Sequence, residues 1–281
     1  MKKRMLVVAD QDCNDTQALE KANQVAKMFE STVVVVAFVD RIEDKDTALD
    51  HEQTLKQQLV EVFDENIDVS LHIAVTSDIA TWVKQYVNDF GFDLVIKTGN
   101  RSEKLFYTPT DWQLIRQLDC ALLITSTNKW RAKSSILASV DVSDDNDRQA
   151  VMNDQVLAEA ELWAKTQDHE LNVVYSVPVP TASLELDIVE MDEVKRQRFP
   201  KAKESLASLL GRNQLAEVNT HIEFGAADKR IPSVANKIKA DLVVMGSVGR
   251  KGINGFLLGN TAEKVMRNLR TDVLIIKPNN S

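Results

Sequence analysis

Five of the nine glycines in this 281-residue chain fall between Gly246 and Thr261, read as G-S-V-G-R-K-G-I-N-G-F-L-L-G-N-T. Glycine accepts positive φ and lets a ligand approach the backbone closely. The stretch follows an apolar run, Asp241-Leu-Val-Val-Met245, and precedes Ala262–Leu269, which has a helical pattern. A glycine-rich turn between a buried strand and a helix N-terminus offers several N–H groups to an anion. The chemistry suggested is a phosphate cradle. The competing interpretation is a glycine-rich surface turn with no ligand.

Other residue types offer less. His51, His72, His169 and His221 show no ligand spacing. His72 and His221 take matched places in two similar halves, which favours a shared role in the fold over metal binding. The acidic runs Asp144-Asp145-Asn146-Asp147 and Glu185 to Glu193 read as solvated faces rather than an acid/base pair. No G-x-S-x-G, H-E-x-x-H or G-x4-G-K-[ST] is present. Cys13 and Cys120 stand far apart without a C-x-x-C partner, so neither a disulfide framework nor a zinc site is indicated. No residue presents itself as a general base, and no catalytic residue is assigned.

The elements that must hold the glycine stretch alternate in type. Strands are expected at Arg4–Ala9, Thr32–Val39, Val69–Val75, Asp93–Lys97 and Ala121–Thr125. Helices are expected between them at Asp15–Phe29, Thr47–Glu65, Ile79–Asn88 and Trp112–Leu118. The same plan then repeats. Its strands are Ser135–Val140, Leu171–Val177, Val218–Phe224, Asp241–Met245 and Val273–Lys277. Its helices are Val151–Thr166, Glu193–Leu210, Ile231–Ile238 and Ala262–Leu269. Strands alternating with helices imply βα units around parallel sheets, and the repeat implies an internal duplication. The polar segment Ser126–Ser134 reads as the linker, giving domains 1–126 and 134–281.

The separation between matched residues of the two copies widens after the first, second and fourth strands. Those points lead from strand C-terminal ends into the next helices, the edge where open parallel sheets bind ligands. Length variation in surface loops is the alternative explanation. The stretch Val177 to Met191 is unusually apolar for a loop, and reads as an interface or as a lid over that edge.

The chain is acidic, with 34 Lys plus Arg against 42 Asp plus Glu. That balance argues against nucleic-acid or anionic-membrane partners. The apolar run Met5–Ala9 ends at Asp10, too short for a signal peptide, and no segment approaches a membrane span. The expected compartment is the cytoplasm.

The features Val140–Asp141, Gly225 before a helix, D-L-V-V-M-G-S-V-G at Asp241–Gly249, L-L-G-N-T at Leu257–Thr261 and V-L-I-I-K at Val273–Lys277 resemble the universal stress protein family. Gly246, Gly249 and Gly259 reproduce the G-x2-G-x9-G spacing of its nucleotide-binding branch. T-P-T-D-W at Thr108–Trp112 is similar to tandem E-type members. The resemblance implies an α/β fold of two tandem doubly wound domains. Each would be a five-stranded parallel sheet in order 3-2-1-4-5 with helices on both faces. It also implies that the last strands of the copies meet, as an intramolecular pseudo-dimer, with a homodimer as a further option.

By the same resemblance, Asp141 and Val177 face adenine or ribose, with Met245 nearby. The amides of Gly246, Gly249, Gly259 and Asn260 and the hydroxyl of Thr261 hold the phosphates, and Arg250 adds a charge-assisted contact. The implied ligand is an adenine nucleotide, ATP first, with Mg alongside it. The family's nucleotide binders place Ser or Thr directly after the last glycine, whereas Asn260 intervenes here. The first copy has lost the cradle: Thr98, Arg101 and Thr108-Pro109 stand opposite Gly246, Gly249 and Gly259, and Val75 opposite Gly225. The expected role is a stress-response sensor or switch, with any ATPase activity slow. Two alternatives stay open: a ligand-independent interaction protein, and a binder of another phosphorylated or acyl metabolite.

Overall fold

The computed structural model describes residues 3–9, 16–39, 45–99, 110–143, 146–179, 191–247, 250–252, 255–257 and 260–278. The chain divides into two compact units, Met1–Thr127 and Asn128–Ser281.

In the first unit the strands are β1 (Arg4–Val8), β2 (Thr32–Val39), β3 (Val69–Val75), β4 (Leu94–Thr98) and β5 (Ala121–Thr125). They lie in the order β3-β2-β1-β4-β5, and every described pairing is parallel. Helices α1 (Gln17–Phe29), α2 (Lys45–Val62), α3 (Ile79–Phe90) and α4 (Thr110–Gln117) connect them. The central strands are buried along their length: Met5 to Val8 and Leu94 to Thr98 are all inaccessible. That is why they read as unbroken apolar runs rather than alternating ones.

The second unit repeats the plan. Its main strands are β6 (Ser135–Val140), β7 (Glu170–Val177), β8 (Asn219–Phe224), β9 (Ala240–Gly246) and β12 (Asp272–Ile276), in the order β8-β7-β6-β9-β12. Again the described pairings are parallel. Its helices are α5 (Asp147–Gln167), α6 (Met191–Arg212), α7 (Ala227–Lys237) and α8 (Asn260–Asn268). Each unit therefore has the strand order 3-2-1-4-5 of a doubly wound sheet, as the resemblance implies. Strand order reverses between β1 and β4 in the first unit, and between β6 and β9 in the second.

Local chemistry sets the helix ends. Asn146 caps α5, its Oδ1 accepting the Gln149 N–H at 2.9 Å, so the helix begins a turn before the expected Val151. Helix α7 also begins early, at Ala227, which places Pro232 in its interior. Proline has no N–H for the carbonyl four residues back. That carbonyl, of Asp228, instead accepts Asn268 Nδ2 from α8 at 3.0 Å.

The segment expected as a linker is fastened to the second unit from Asn128 onward. Asn128 Nδ2 donates to the Arg270 carbonyl at 2.7 Å, and Trp130 Nε1 to Asp272 Oδ2 at 2.8 Å. Arg131 grips Asp241 through its backbone N–H (2.8 Å) and its side-chain Nε (3.0 Å) and Nη2 (2.6 Å). Trp130 also meets the ring of the fully buried Trp163 edge-on, at 5.9 Å. Trp130 and Arg131 are thus spent on carboxylates at the starts of β12 and β9.

Candidate nucleotide site

The ends of β6 and β9 are set side by side, with Ser139 paired to Met245. Asp141 follows β6, and its backbone is clamped by one side chain. Its N–H donates to Asn153 Oδ1 at 3.1 Å, and its carbonyl accepts Asn153 Nδ2 at 2.7 Å. Gln149 Nε2 donates to the same Asn153 Oδ1 at 3.0 Å. Asn153 is buried on the apolar face of α5, among Met152, Val156 and Leu157. A buried side-chain amide must find partners for both its ends, and here it finds them on the Asp141 backbone. Asn153 is a positioning residue that the sequence reading passed over. Its signal was a lone amide in a helix stripe otherwise apolar.

The Asp141 carboxylate is exposed and ordered by its own loop. Oδ1 accepts the Ser143 N–H at 2.9 Å and the Ser143 hydroxyl at 2.6 Å. Among the described residues no donor pairs with Oδ2, which leaves an acceptor of the kind that ribose hydroxyls satisfy. Tyr175 lies beside Val140 on β7. Burial pushes its phenol pKa up, the Asp141 charge adds to that, and the Arg198 guanidinium opposes it. Arg198 itself donates to the Pro178 carbonyl at 2.9 Å, just past the end of β7.

Val177, at the end of β7, and Met245, near the end of β9, are both buried, so each forms floor rather than wall. The Val177 carbonyl accepts the Gly225 N–H at 3.0 Å. Gly225 has φ +133°, and a Cβ there would come within 2.9 Å of Arg230 Nε. The valine opposite it in the first copy therefore could not be exchanged into this place without strain.

Gly246 has a packing reason for being glycine. A Cβ on it would lie 2.4 Å from Met152 Cγ and 2.5 Å from Met152 Sδ. Its missing side chain lets α5 pack against the end of β9. Beyond it, the glycine-rich stretch is more structured than a loop. Arg250–Gly252 (β10) and Gly255–Leu257 (β11) form an antiparallel ribbon with Gly252 opposite Gly255. Asn260 opens helix α8, with Thr261 next in it. Arg250, Asn260 and Thr261 are thus placed by backbone alone, while Gly249 and Gly259 lie outside the described residues. So do Arg101, Thr108, Pro109 and residues 180–190 of the apolar loop.

The equivalent edge of the first unit is built differently. The two copies still agree just past the fourth strand, where Gly99 N–H donates to the Thr125 carbonyl at 2.9 Å and Ser247 N–H to the Ile276 carbonyl at 3.0 Å. One residue before Thr98, however, the first unit buries a lysine. Lys97 Nζ lies 3.1 Å from Asp111 Oδ1 and 2.7 Å from the Thr98 carbonyl, with both side chains 6% exposed. Matched through Asp93 and Asp241, Lys97 corresponds to Met245. Matched through the last strands, Asp111 corresponds to Ala262. An internal ion pair stands where the second unit has apolar side chains.

The comparisons with known proteins agree with this architecture. A model of the universal stress protein family matches residues 1–126 and again residues 136–277. A universal stress protein E homolog of Haemophilus influenzae is 29% identical over 234 residues, 81% of this chain and 76% of that protein. Universal stress protein E of Escherichia coli is 32% identical over 203 residues, 69% of this chain and 63% of that protein, so this alignment spans less than two thirds of the relative. A functionally unknown protein of Pseudomonas aeruginosa PAO1 has a solved structure that superposes with TM-score 0.78 at 28% identity, over 99% of this chain and 93% of that one. A putative universal stress protein of Pseudomonas aeruginosa UCBPP-PA14 superposes with TM-score 0.76 at 28% identity, over 99% and 94%. Two successive matches to one family model, over two units of the same strand order, give the conclusion: the chain belongs to the universal stress protein family, as a tandem-domain member of the E type.

Proposed function

We propose that the second unit binds an adenine nucleotide, ATP first, across the ends of β6 and β9. On this reading the protein serves the stress response as a sensor or switch, in which the ligand biases packing with a partner. The observation that carries the reading is the contrast between the copies at the end of the fourth strand. There the first unit buries the Lys97–Asp111 pair, where the second buries Met245 and Ala262. The second holds the Asp141 carboxylate in place with Asn153 and Ser143, beside an apolar floor of Val177 and Met245. The carboxylate suits the ribose hydroxyls and the apolar floor suits the adenine ring. The phosphates would fall to the amides of Gly246, Gly249, Gly259 and Asn260 and to Thr261 and Arg250. Mg, when it accompanies ATP, supplies charge neutralisation at the phosphates.

Equilibrium dialysis of the full chain against ATP tests the reading. Saturable binding is expected, weakened by about tenfold or more in Asp141→Ala, the loss of a charge-assisted hydrogen bond. No saturable binding, or binding indifferent to Asp141→Ala, would sink it. Gly246→Val is a poor probe, since its side chain would collide with Met152 whatever the ligand.

The use of Gly246 in packing favours a second reading, a ligand-independent interaction protein whose glycines serve the fold. That reading expects a melting temperature unmoved by ATP, whereas a ligand that binds only the folded state must raise it.

A further inference from the structure

Away from the Asp141 edge, the second unit holds a cavity of about 610 Å³. Its floor is the start of β9, and it runs along the face of α7 that carries Lys229, Ser233 and Asn236. None of the residues assigned to the nucleotide lines it. Five cations border it, Lys129, Arg131, Lys229, Lys239 and Arg270, against the single carboxylate of Asp241. In a chain of net charge −8 this is a local reversal of sign.

The carboxylate is already spent. Both Asp241 oxygens accept from Arg131, which also donates to the Lys239 carbonyl. Arg131 and Asp241 together therefore form a neutral wall. Lys129, Lys229, Lys239 and Arg270 remain, and among the described residues none of them makes an ion pair. Lys239 and Arg270 follow the ends of α7 and α8, where helix carbonyls favour positive charge. That explanation does not extend to Lys229, which lies in the first turn of α7. There the helix field disfavours a cation. Lys129 belongs to no helix. Four cations from separate segments thus border one cavity without an ion-pair partner among the described residues, and a bound multivalent anion would supply one.

We infer that this cavity is a second ligand site, for a small multivalent anion of the phosphorylated-metabolite class. Its size falls in the range of roughly 300–1,000 Å³ typical of small-molecule sites. Cations converging from the 128–131 segment, α7 and the connection into β12 suit a ligand with several charged oxygens better than a monovalent one. The site is independent of the nucleotide reading and stands or falls separately from it.

Tripolyphosphate is the probe, titrated calorimetrically into the full chain at low ionic strength. Saturable binding is expected, weakening as salt rises. The double variant Lys229→Gln/Arg270→Gln should lower the affinity by about tenfold or more, one charge-assisted contact or better. Both side chains are exposed, so the variant should melt as the parent does. A control of equal charge on α6, Lys201→Gln/Lys203→Gln, should leave the affinity unchanged. Absence of saturable binding would overturn the inference. So would binding that survives the Lys229/Arg270 change, or binding that falls equally with the α6 control.

Discussion

Lys97 and Asp111 are the pair on which the difference between the two units turns. Each is almost inaccessible, and the ammonium also reaches the Thr98 carbonyl. Breaking a buried ion pair from one side leaves an uncompensated charge, at a cost of about 3–5 kcal/mol, while replacing both partners by apolar groups is often neutral. Lys97→Met is therefore expected to destabilise the first unit by that order in urea melts. Lys97→Met/Asp111→Leu should recover most of the loss. At the other unit, Arg131 sets the ionisation of Asp241. Burial alone would push that carboxyl up, but the hydrogen bonds from the Arg131 side chain and backbone, with its charge, hold it below the ordinary aspartate value. A carboxyl depressed on folding contributes stability that is complete above its unfolded pKa and is lost as pH falls through the folded one. Arg131→Ala leaves burial dominant, so the variant should be less stable than the parent in urea melts at neutral pH, and the gap should narrow as pH falls through the range where Asp241 is protonated. Neither pair could be read in the sequence, because Arg131 and Asp241 stand far apart in the chain. Asn153 could have been read, as an amide interrupting an apolar helical stripe.

At the scale of elements, both copies end their first helix in the same way. Glu30 and Asp168 follow α1 and α5 with φ of 48° and 52°. The N–H of each residue after them reaches back, Ser31 to the Ala26 carbonyl at 3.1 Å and His169 to the Ala164 carbonyl at 2.9 Å. This is the helix end that normally takes glycine, since a Cβ resists the left-handed conformation. An acidic group there also opposes the helix dipole. Glu30→Gly and Asp168→Gly should each stabilise the protein, by about 0.5–1 kcal/mol in thermal or urea melts. The central strands were legible almost residue for residue, because buried parallel strands are continuous apolar runs, whereas β3 alternates and β8 is largely polar. The pattern missed three features, two of them set by contacts distant in sequence. The β10–β11 ribbon arises inside a stretch whose glycines hide any alternation. The early start of α7 depends on Asn268 accommodating the carbonyl that Pro232 cannot serve. The 128–134 segment looked like a polar tether, because the carboxylates that hold it, Asp241 and Asp272, lie more than a hundred residues on.

At the scale of the whole molecule, the duplication preserved a scaffold and let its edges diverge. Strand order is the same in both units. His72 and His221 sit in the third strand of each, yet they do different things. His72 is exposed and stacks on Trp82 at 5.4 Å, whereas His221 is half-buried with Nε2 3.0 Å from Asn172 Oδ1. The ligand edges differ more, with a buried ion pair in one unit where the other has apolar side chains. The central claim is therefore one of asymmetry, a single nucleotide per chain, held by the second unit. Native mass spectrometry of the purified full chain incubated with ATP counts this directly. The account predicts one added nucleotide per chain, reduced in Asp141→Ala and retained in Lys97→Met/Asp111→Leu. A chain that stays bare at saturating ATP, or one that takes up two nucleotides, would contradict it.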